Sequence, residues 1–280
     1  MMLSPDHAVE PKSSPEKQRK IVYRTLGKTG IKVPVISMGV MNADNPNLVK
    51  AALDNGIVHL DTAWNYQQGR NEKMTGSVIK DYPRDSYVIA TKIYDRARDR
   101  EKSIFTKDAI EEGFLKKFDE SLERLGIDYV DILYLHSSYT REMTLYEPFL
   151  KAMEKLKKEG RTRFVGVSTH WNKPEVIQAA IDSQFYDVVL TPYNFKQDHI
   201  EQMRKMIAKA ADAGLGIVGM KTFAGAYLEE EKTKPVDPKA AIRFALKDKN
   251  VHTIIPGFTT FEQMEIDLAA MEESSNYPNF

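Results

Sequence analysis

The sequence predicts an α/β fold, a closed (β/α)8 TIM barrel. Eight short runs rich in β-branched residues alternate with longer stretches of helical periodicity, which is typical of a parallel sheet wrapped by helices. Eight such units over about 250 residues match a closed barrel. The first predicted strand runs into Gly39-Val40-Met41-Asn42-Ala43-Asp44, without the Gly-x-Gly-x-x-Gly turn that an open doubly wound sheet usually carries.

The strands are placed where short apolar, β-branched runs lie between turn residues. They are predicted at Val33–Val40, Val58–Thr62, Tyr87–Thr91, Val130–Leu135, Arg163–Ser168, Val188–Thr191, Gly216–Met220 and His252–Ile255.

The intervening helices are placed by apolar spacing and by residues typical of helix ends. Thr106 is predicted to cap Lys107–Leu125, whose apolar face includes Ile110 and which ends at Gly126. The other predicted starts and spans are Glu147–Glu159 with its stop at Gly160, a helix begun by Asn172 and Pro174, Ile200–Ala213 begun by Asp198, a helix opened by Pro238, and Phe261–Met271 opened by Thr260.

The composition is that of a globular protein without a strong overall charge. Forty basic residues balance forty acidic ones, so no global field favours nucleic acid or an anionic membrane, and no nucleic-acid partner is expected. The chain has no cysteine, which excludes disulfides, thiolate metal sites and a cysteine nucleophile. No His/Asp/Glu cluster has the spacing of metal ligands, so no metal site is expected.

The N-terminal residues are predicted to form a polar, disordered segment that precedes one barrel domain. Residues 1–20 are rich in Pro, Ser, Lys and Glu and are predicted to be disordered, and residues 21–280 are predicted to form the single catalytic domain. No apolar run approaches the roughly 20 residues that span a bilayer, and no signal-peptide core is present. We therefore expect a cytoplasmic protein without a membrane partner, or an exported one if a leader has been removed.

Four titratable residues lie where predicted apolar strands end. Asp61 ends the second strand and Tyr66 follows it, Lys92 ends the third strand, and His136 ends the fourth. Active sites of barrels of this kind lie at the carboxyl ends of the strands, so these side chains are expected to meet. Taken singly, each has a structural alternative, as a cap, rim packing, a solvated lysine or a satisfied histidine. Together they favour a catalytic site.

The chemistry of this set favours reduction of a carbonyl. A lysine ammonium beside a phenol is expected to lower the phenol's pKa from about 10, and an aspartate beside the lysine keeps it charged. A histidine can position a carbonyl oxygen. Tyr66 could then give its proton to that oxygen as hydride reaches the carbon.

These residues resemble the catalytic tetrad of the aldo-keto reductases in order and spacing. Supporting matches cover nearly everything from Tyr23 to about Met271: Tyr23-Arg24-Thr25-Leu26-Gly27-Lys28-Thr29-Gly30, Gly166-Val167-Ser168, Pro192-Tyr193-Asn194 and Ile255-Pro256-Gly257. The resemblance implies a nicotinamide cofactor, NADP(H) or NAD(H), extended across the barrel mouth. It also implies Tyr66 as acid/base, Lys92 and Asp61 as its tuning pair, and His136 as the orienting group.

Departures from the family pattern cluster on the cofactor side. Thr169 and Leu190 fall where Asn and Gln usually hold the carboxamide, and Met220 falls where a Tyr usually stacks on the nicotinamide. Gly257–Gln263 has neither Lys nor Arg for a 2′-phosphate, which is expected to weaken NADP binding by a factor of roughly 100 or more. The preference between cofactors stays open. The residues expected at the cofactor are Met41, Ser168, Thr169, Met220, Lys221, Phe223, Gly225, Gly257, Phe258, Thr259, Gln263 and Asp267.

The stretch Met220-Lys221-Thr222-Phe223-Ala224-Gly225 resembles a branch of the family whose members often carry a C-terminal iron–sulfur tail, which is absent here. Trp64, Tyr94, Tyr139, His170 and Trp171 are expected to line an aromatic pocket, open to a bulky or varied carbonyl of a small-molecule substrate.

Two alternatives to a reductase remain at this point. One is a non-catalytic binding or regulatory protein with weakened cofactor affinity, suggested by the cofactor-side departures. The other is a Schiff-base lyase using Lys92 or Lys221. For the reductase, a monomer or weak oligomer is expected.

Overall fold

A computed structural model describes residues 19–224 and 236–276 of the chain. In chain order its strands are β1 (Tyr23–Thr25), β2 (Lys32–Pro34), β3 (Met38–Gly39), β4 (His59–Asp61), β5 (Val88–Ile93), β6 (Arg98–Asp99), β7 (Ile104–Phe105), β8 (Val130–Ser138), β9 (Thr162–Thr169), β10 (Val188–Pro192), β11 (Gly216–Met220) and β12 (Thr253–Ile254). Its helices are α1 (Pro46–Asp54), α2 (Arg70–Ile79), α3 (Glu111–Leu125), α4 (Arg141–Thr144), α5 (Glu147–Lys158), α6 (Lys173–Ser183), α7 (Ile200–Asp212), α8 (Pro238–Leu246) and α9 (Phe261–Ser274).

The central sheet closes on itself. Its strands follow the order β12-β11-β10-β9-β8-β5-β4-β3, and every adjacent pair is parallel. A parallel bridge between Ile36 and Ile254 joins the two ends, and the Ser37 amide donates to the Ile254 carbonyl at 2.8 Å. The predicted (β/α)8 barrel is therefore confirmed.

The predicted first strand, Val33–Val40, is wrong as one element. Residues Lys32–Pro34 form β2 and pair antiparallel with β1, and the barrel strand proper is only Met38–Gly39. The chain turns between them because the Ser37 hydroxyl reaches back to the Thr253 hydroxyl at 2.7 Å, and Pro34 has no amide hydrogen to continue a ladder.

The start of α3 is also corrected. The helix begins at Glu111, and Ile110 is 49% exposed and does not belong to the buried face. Thr106 does not cap it, because its amide donates to the Ala97 carbonyl at 2.9 Å and extends the β6–β7 hairpin. The Tyr146 hydroxyl donates to the Ala109 carbonyl at 2.9 Å, which keeps this segment out of the helix.

Other helix starts follow the sequence more closely. Thr260 caps α9 by accepting from the Gln263 amide, although the helix continues to Ser274. Asn172 precedes α6 as predicted. Its side-chain amide donates to the Tyr139 carbonyl at 3.0 Å and does not cap the helix. His199, in left-handed conformation at φ 59°, stands directly before α7 where Asp198 was expected to start it.

The interior of the barrel is a cluster of buried side chains separate from the layer under the helices. Strand residues alternate between the two, since successive side chains point to opposite faces. Leu26 and Val33 of the β1–β2 hairpin cover the amino end of the strands. The strand members of the interior cluster are Val88, Ala90, Ile132, Tyr134, Val188, Leu190, Val218 and Met220.

The predicted lead-in, residues 1–20, lies outside the described residues except for its last two, as does Gly225. Within the described residues, no helix is long and apolar enough to cross a membrane.

Candidate active site

The alternation that fills the barrel also brings three polar side chains to its carboxyl end. Val88 and Ala90 face the interior, so Lys92 does too, and His136 follows Ile132 and Tyr134 in the same way. Asp61 is the Cα partner of Ala90 and shares its face. Lys92 and Asp61 are each 1% exposed and His136 is 6% exposed.

Lys92 is the centre of the cluster. Its ammonium donates to Oδ1 of Asp61, to the Thr62 carbonyl at 2.7 Å and to the Tyr66 hydroxyl at 3.4 Å. Three donors thus meet three acceptors, which is the full capacity of an ammonium group. The sequence-predicted contact of Lys92 with both Asp61 and Tyr66 is present in the structure.

The pKa of Tyr66 differs from the sequence-based expectation. Burial raises the pKa of the phenol, and the lowering effect of the Lys92 charge does not overcome it, so the net pKa lies above 10. Burial alone would lower the pKa of Lys92, but Asp61 and Tyr66 raise it and the ammonium stays charged. The phenol therefore holds its proton at neutral pH, as a proton donor must.

His136 lies beside Tyr66 with the two rings edge to face, 5.8 Å between centroids and 79° between planes. Burial, and then the charges of Lys92 and Arg98 with the neighbouring His170, hold the pKa of His136 well below 6.5. The ring is thus neutral at physiological pH, and it can position a carbonyl oxygen without adding charge.

The loop that carries Tyr66 is held in place by hydrogen bonds of the Asn71 and Gln67 side chains. The Asn71 amide donates to the Val40 carbonyl at 2.6 Å and its oxygen accepts from the Thr62 hydroxyl at 2.6 Å. Gln67, in left-handed conformation at φ 48°, donates to the Met41 carbonyl at 3.0 Å. Tyr66 therefore lies in a turn whose conformation these hydrogen bonds stabilise.

Arg98 supports His136 and was not singled out from the sequence. Its guanidinium donates to the carbonyls of His136 at 2.8 Å, Ser137 at 2.7 Å and Asp95 at 2.6 Å. It also stacks 4.2 Å from the Tyr94 ring centroid. The His136 and Ser137 carbonyls lie more than thirty residues away along the chain, so only a signal for the β6–β7 hairpin could have pointed to this arginine.

The residues predicted to lie near the nicotinamide carboxamide make hydrogen bonds and packing contacts within the protein. The Ser168 hydroxyl accepts from the Ser137 amide at 2.9 Å, and the Thr169 hydroxyl donates to the Trp171 carbonyl at 2.7 Å. Leu190 is fully buried in the barrel interior, where it packs as an apolar side chain. Met220, 9% exposed, ends the same cluster at the mouth.

The turn after β11 offers donors to an anionic group. Thr222 is 1% exposed, and its hydroxyl has no hydrogen-bond partner among residues 19–224 and 236–276. Lys221 precedes it in left-handed conformation at φ 54°. The Lys221 carbonyl accepts a hydrogen bond from the side-chain amide of Asn194 at 3.0 Å. A free hydroxyl beside an ammonium fits the diphosphate of a dinucleotide. Thr222 was not among the residues predicted at the cofactor, and Phe223 after it is buried.

The predicted residues between β12 and α9 form a compact turn. The Gln263 side chain accepts from the Thr259 amide at 2.8 Å, Phe258 is buried and Gly257 is partly exposed. Asp267, farther along α9, is 2% exposed. Met41, across the mouth, is 48% exposed.

The expected aromatic pocket is only partly assembled. Tyr94 packs edge to face on His136 at 5.8 Å. Trp64 instead turns to α3, where its indole donates to Glu120 at 2.8 Å, and Trp171 is 67% exposed. The pairing with Glu120 explains Trp64, since a buried indole N–H requires an acceptor. Within the described residues, no group of three or more His, Asp or Glu could hold a metal ion.

Comparison with known proteins identifies the family to which this architecture belongs. The family model of the aldo/keto reductases matches residues 39–240, which include the four residues at the mouth. The chain belongs to the aldo/keto reductase family. It is thus an NAD(P)H-dependent oxidoreductase that acts on the carbonyl groups of small molecules.

Individual relatives are distant. The L-galactose dehydrogenase of Arabidopsis thaliana is 27% identical, with 91% of this chain and 89% of the relative covered. The D-threo-aldose 1-dehydrogenase of a Pseudomonas species is 24% identical, with 73% and 70% covered. Among solved structures, the holo form of an aldo-keto reductase from Bacillus halodurans superimposes with a TM-score of 0.71 at 22% identity, over 93% of each chain. A thermostable aldo-keto reductase in complex with the inhibitor epalrestat gives 0.73 at 22%, over 90% of this chain and 94% of that one.

Family membership decides between the alternatives that the sequence left open. The named relatives are dehydrogenases and reductases, and none of these comparisons supports a binding-only protein or a Schiff-base lyase.

The burial of Asp267 predicts a pH-dependent stability for this aldo/keto reductase. Burial raises its pKa to about 8, against about 3.9 in an unfolded chain. The folded state therefore keeps a proton that the unfolded state releases, and stability falls as pH rises from about 4 to about 8. We expect Asp267→Asn to remove this loss, so that its free energy of unfolding exceeds the wild-type value by several kcal/mol at pH 8, on the order of the pKa difference.

Urea unfolding at pH 5 and pH 8 measures this effect. Asp212→Asn, on the exposed face of α7, is the matched control and should keep the wild-type pH dependence. Equal pH dependence in the wild type and Asp267→Asn would show that the carboxyl is ionised in the fold.

Proposed function

We propose that Tyr66 is the general acid for carbonyl reduction, that Lys92 and Asp61 keep it in position, and that His136 orients the substrate oxygen. One observation carries this proposal: the buried Lys92 ammonium donates to both Asp61 and the Tyr66 hydroxyl. A cation buried at the mouth of an apolar barrel costs stability unless it serves such a network.

The proposed reaction needs one proton from the protein. The nicotinamide cofactor, when bound, supplies the hydride to the carbonyl carbon. As negative charge develops on the carbonyl oxygen, the Tyr66 hydroxyl gives it a proton, and the Lys92 charge stabilises the phenolate that remains. The neutral His136 ring holds the oxygen in line, and its neutrality leaves Tyr66 as the acid.

The cofactor is proposed to lie across the mouth from β11 to α9. Met220 would lie under the nicotinamide, and Lys221 and Thr222 would hold the diphosphate. The rest of the predicted set, Met41, Ser168, Thr169, Phe223, Gly257, Phe258, Thr259, Gln263 and Asp267, would border it, and Gly225 lies outside the described residues. Since Gly257–Gln263 contains no Lys or Arg, we infer little discrimination between NADPH and NADH.

Titration with each cofactor tests this assignment. We expect both NADPH and NADH to quench the fluorescence of the two tryptophans saturably, with dissociation constants that differ by less than about tenfold, because a strong preference needs charge-assisted contacts. Lys221→Met should weaken both cofactors alike, since the diphosphate is common to them.

The matched control is Lys173→Met, at the start of α6, which should bind both cofactors as the wild type does. Loss of NADPH binding alone in Lys221→Met would instead place this lysine at the 2′-phosphate, and unchanged binding would remove it from the cofactor site.

A further inference from the structure

Three polar atoms without partners lie within the barrel, one on the proposed catalytic residue Asp61 and two on other inward-facing side chains. They are Oδ2 of Asp61, Nε2 of His59 and the hydroxyl oxygen of Tyr134, and each is buried with no hydrogen-bond partner among residues 19–224 and 236–276. A buried polar atom without a hydrogen-bond partner destabilises the fold. A partner common to the three atoms would satisfy all of them.

The strand register places their side chains on the same inner face. His59 and Asp61 are two residues apart on β4, so both point inward. Tyr134 is the Cα partner of Lys92, which is bonded to Asp61. The ring of Tyr134 fills the space beside Gly166, where an added Cβ would clash with it. Burial, and then the charge of Asp61, raise the pKa of the Tyr134 hydroxyl.

The neighbouring hydrogen bonds favour one tautomer of His59. The Thr253 hydroxyl lies 2.7 Å from the Pro34 carbonyl, which can only accept, and 2.7 Å from the Ser37 hydroxyl. We assign the Thr253 hydrogen to the carbonyl, so that the Ser37 oxygen accepts from Nδ1–H of His59 at 3.0 Å. Burial lowers the pKa of His59 to about 4, so the ring is neutral and its Nε2 is a hydrogen-bond acceptor.

The three atoms therefore comprise two acceptors and one donor. The carboxylate oxygen of Asp61 and Nε2 of His59 each need a hydrogen, and the Tyr134 hydroxyl needs an acceptor. A single water molecule supplies two hydrogens and a lone pair, and buried waters typically make about three hydrogen bonds.

We propose that one buried water bridges Asp61, His59 and Tyr134, and that Tyr134 and His59 are positioning residues for the Asp61–Lys92 pair. The water donates to Oδ2 of Asp61 and to Nε2 of His59 and accepts from the Tyr134 hydroxyl. By stabilising the Asp61 carboxylate, it keeps Lys92 charged and directed at Tyr66. The catalytic part of this proposal rests on the proposed function, whereas the water itself does not.

Tyr134→Phe removes the donor and keeps the ring beside Gly166. We expect kcat for reduction of an activated aromatic aldehyde to fall by about threefold to tenfold, the effect of one hydrogen bond, with KM and cofactor binding unchanged. The acidic limb of the pH profile of kcat should move to higher pH, because the Asp61 carboxylate loses support. The titratable groups that face this pair are His59 on β4, Lys92 on β5, Tyr134 and His136 on β8, and Tyr66 in the loop.

Tyr186→Phe is the matched control, because Tyr186 is equally buried but its hydroxyl donates to the Thr144 carbonyl at 2.6 Å in the outer layer. It should keep the wild-type kcat and pH profile. An unchanged pH profile in Tyr134→Phe, or an equal shift in Tyr186→Phe, would overturn the positioning role.

A high-resolution crystal structure of the wild type tests the water directly. We expect one ordered water within about 3.2 Å of all three atoms. A direct bond between Tyr134 and Asp61, or no density between the three atoms, would contradict the proposal. Failure of the proposed function is distinguishable, since a wild-type protein without carbonyl reduction could still show this water.

Discussion

Replacing Tyr66 by phenylalanine should lower kcat for carbonyl reduction by about 10²–10⁴-fold, the usual contribution of a positioned general acid. The ring and its edge-to-face contact with His136 are kept, and only the proton donor is lost. The dissociation constant of the cofactor should stay within about twofold of the wild-type value, because a change of tenfold would require 1.4 kcal/mol. Steady-state kinetics with an activated aromatic aldehyde, together with cofactor titration, measures both quantities.

Tyr94→Phe is the matched control for this substitution. Tyr94 makes a second edge-to-face contact with His136 at the same centroid distance of 5.8 Å, but Lys92 does not bond its hydroxyl. We expect the kcat of Tyr94→Phe to stay within about threefold of the wild-type value. This change is much smaller than the loss expected when a general acid is removed. If Tyr94→Phe loses as much activity as Tyr66→Phe, the acid has been assigned to the wrong tyrosine.

Replacing Lys92 by methionine should remove activity and also destabilise the fold. The substitution leaves Asp61 buried without its cation, and breaking a buried ion pair in this way costs about 3–5 kcal/mol. Without the ammonium, the phenolate of Tyr66 is not stabilised, so we expect kcat to fall by about 10²-fold or more. Urea unfolding and steady-state kinetics on the same preparation separate the two effects.

A double substitution distinguishes the charge from the packing. Adding Asp61→Asn to Lys92→Met removes the unpaired charge, so most of the lost stability should return while activity stays absent. Lys117→Met is the matched control, because Lys117 pairs with the buried Asp95 but remains partly exposed and does not contact Tyr66. If the double variant is as unstable as Lys92→Met, the loss arises from packing.

The sequence predicted the barrel and the meeting of the four mouth residues because both depend on local patterns. Parallel strands of similar length end at one edge, so Asp61, Lys92 and His136 could be brought together without knowing the structure. The same alternation that predicts buried Val88 and Ala90 predicts that Lys92 points inward.

Features that depend on distant partners could not be predicted. The start of α3 is decided by the Tyr146 hydroxyl, more than thirty residues away along the chain. Arg98 supports His136 only because the β6–β7 hairpin folds back over β8. The net pKa of Tyr66 could not be predicted for a related reason. The lowering effect of Lys92 was expected, but the burial that outweighs it is a property of the whole barrel.

Single-turnover reduction with cofactor deuterated at the transferred position tests the central claim most directly. With the wild type, we expect deuterium on the carbonyl carbon of the alcohol and a proton from the solvent on its oxygen, formed much faster than with Tyr66→Phe under the same conditions. Equal rates for the two proteins, or an alcohol without deuterium on carbon, would contradict hydride transfer assisted by Tyr66.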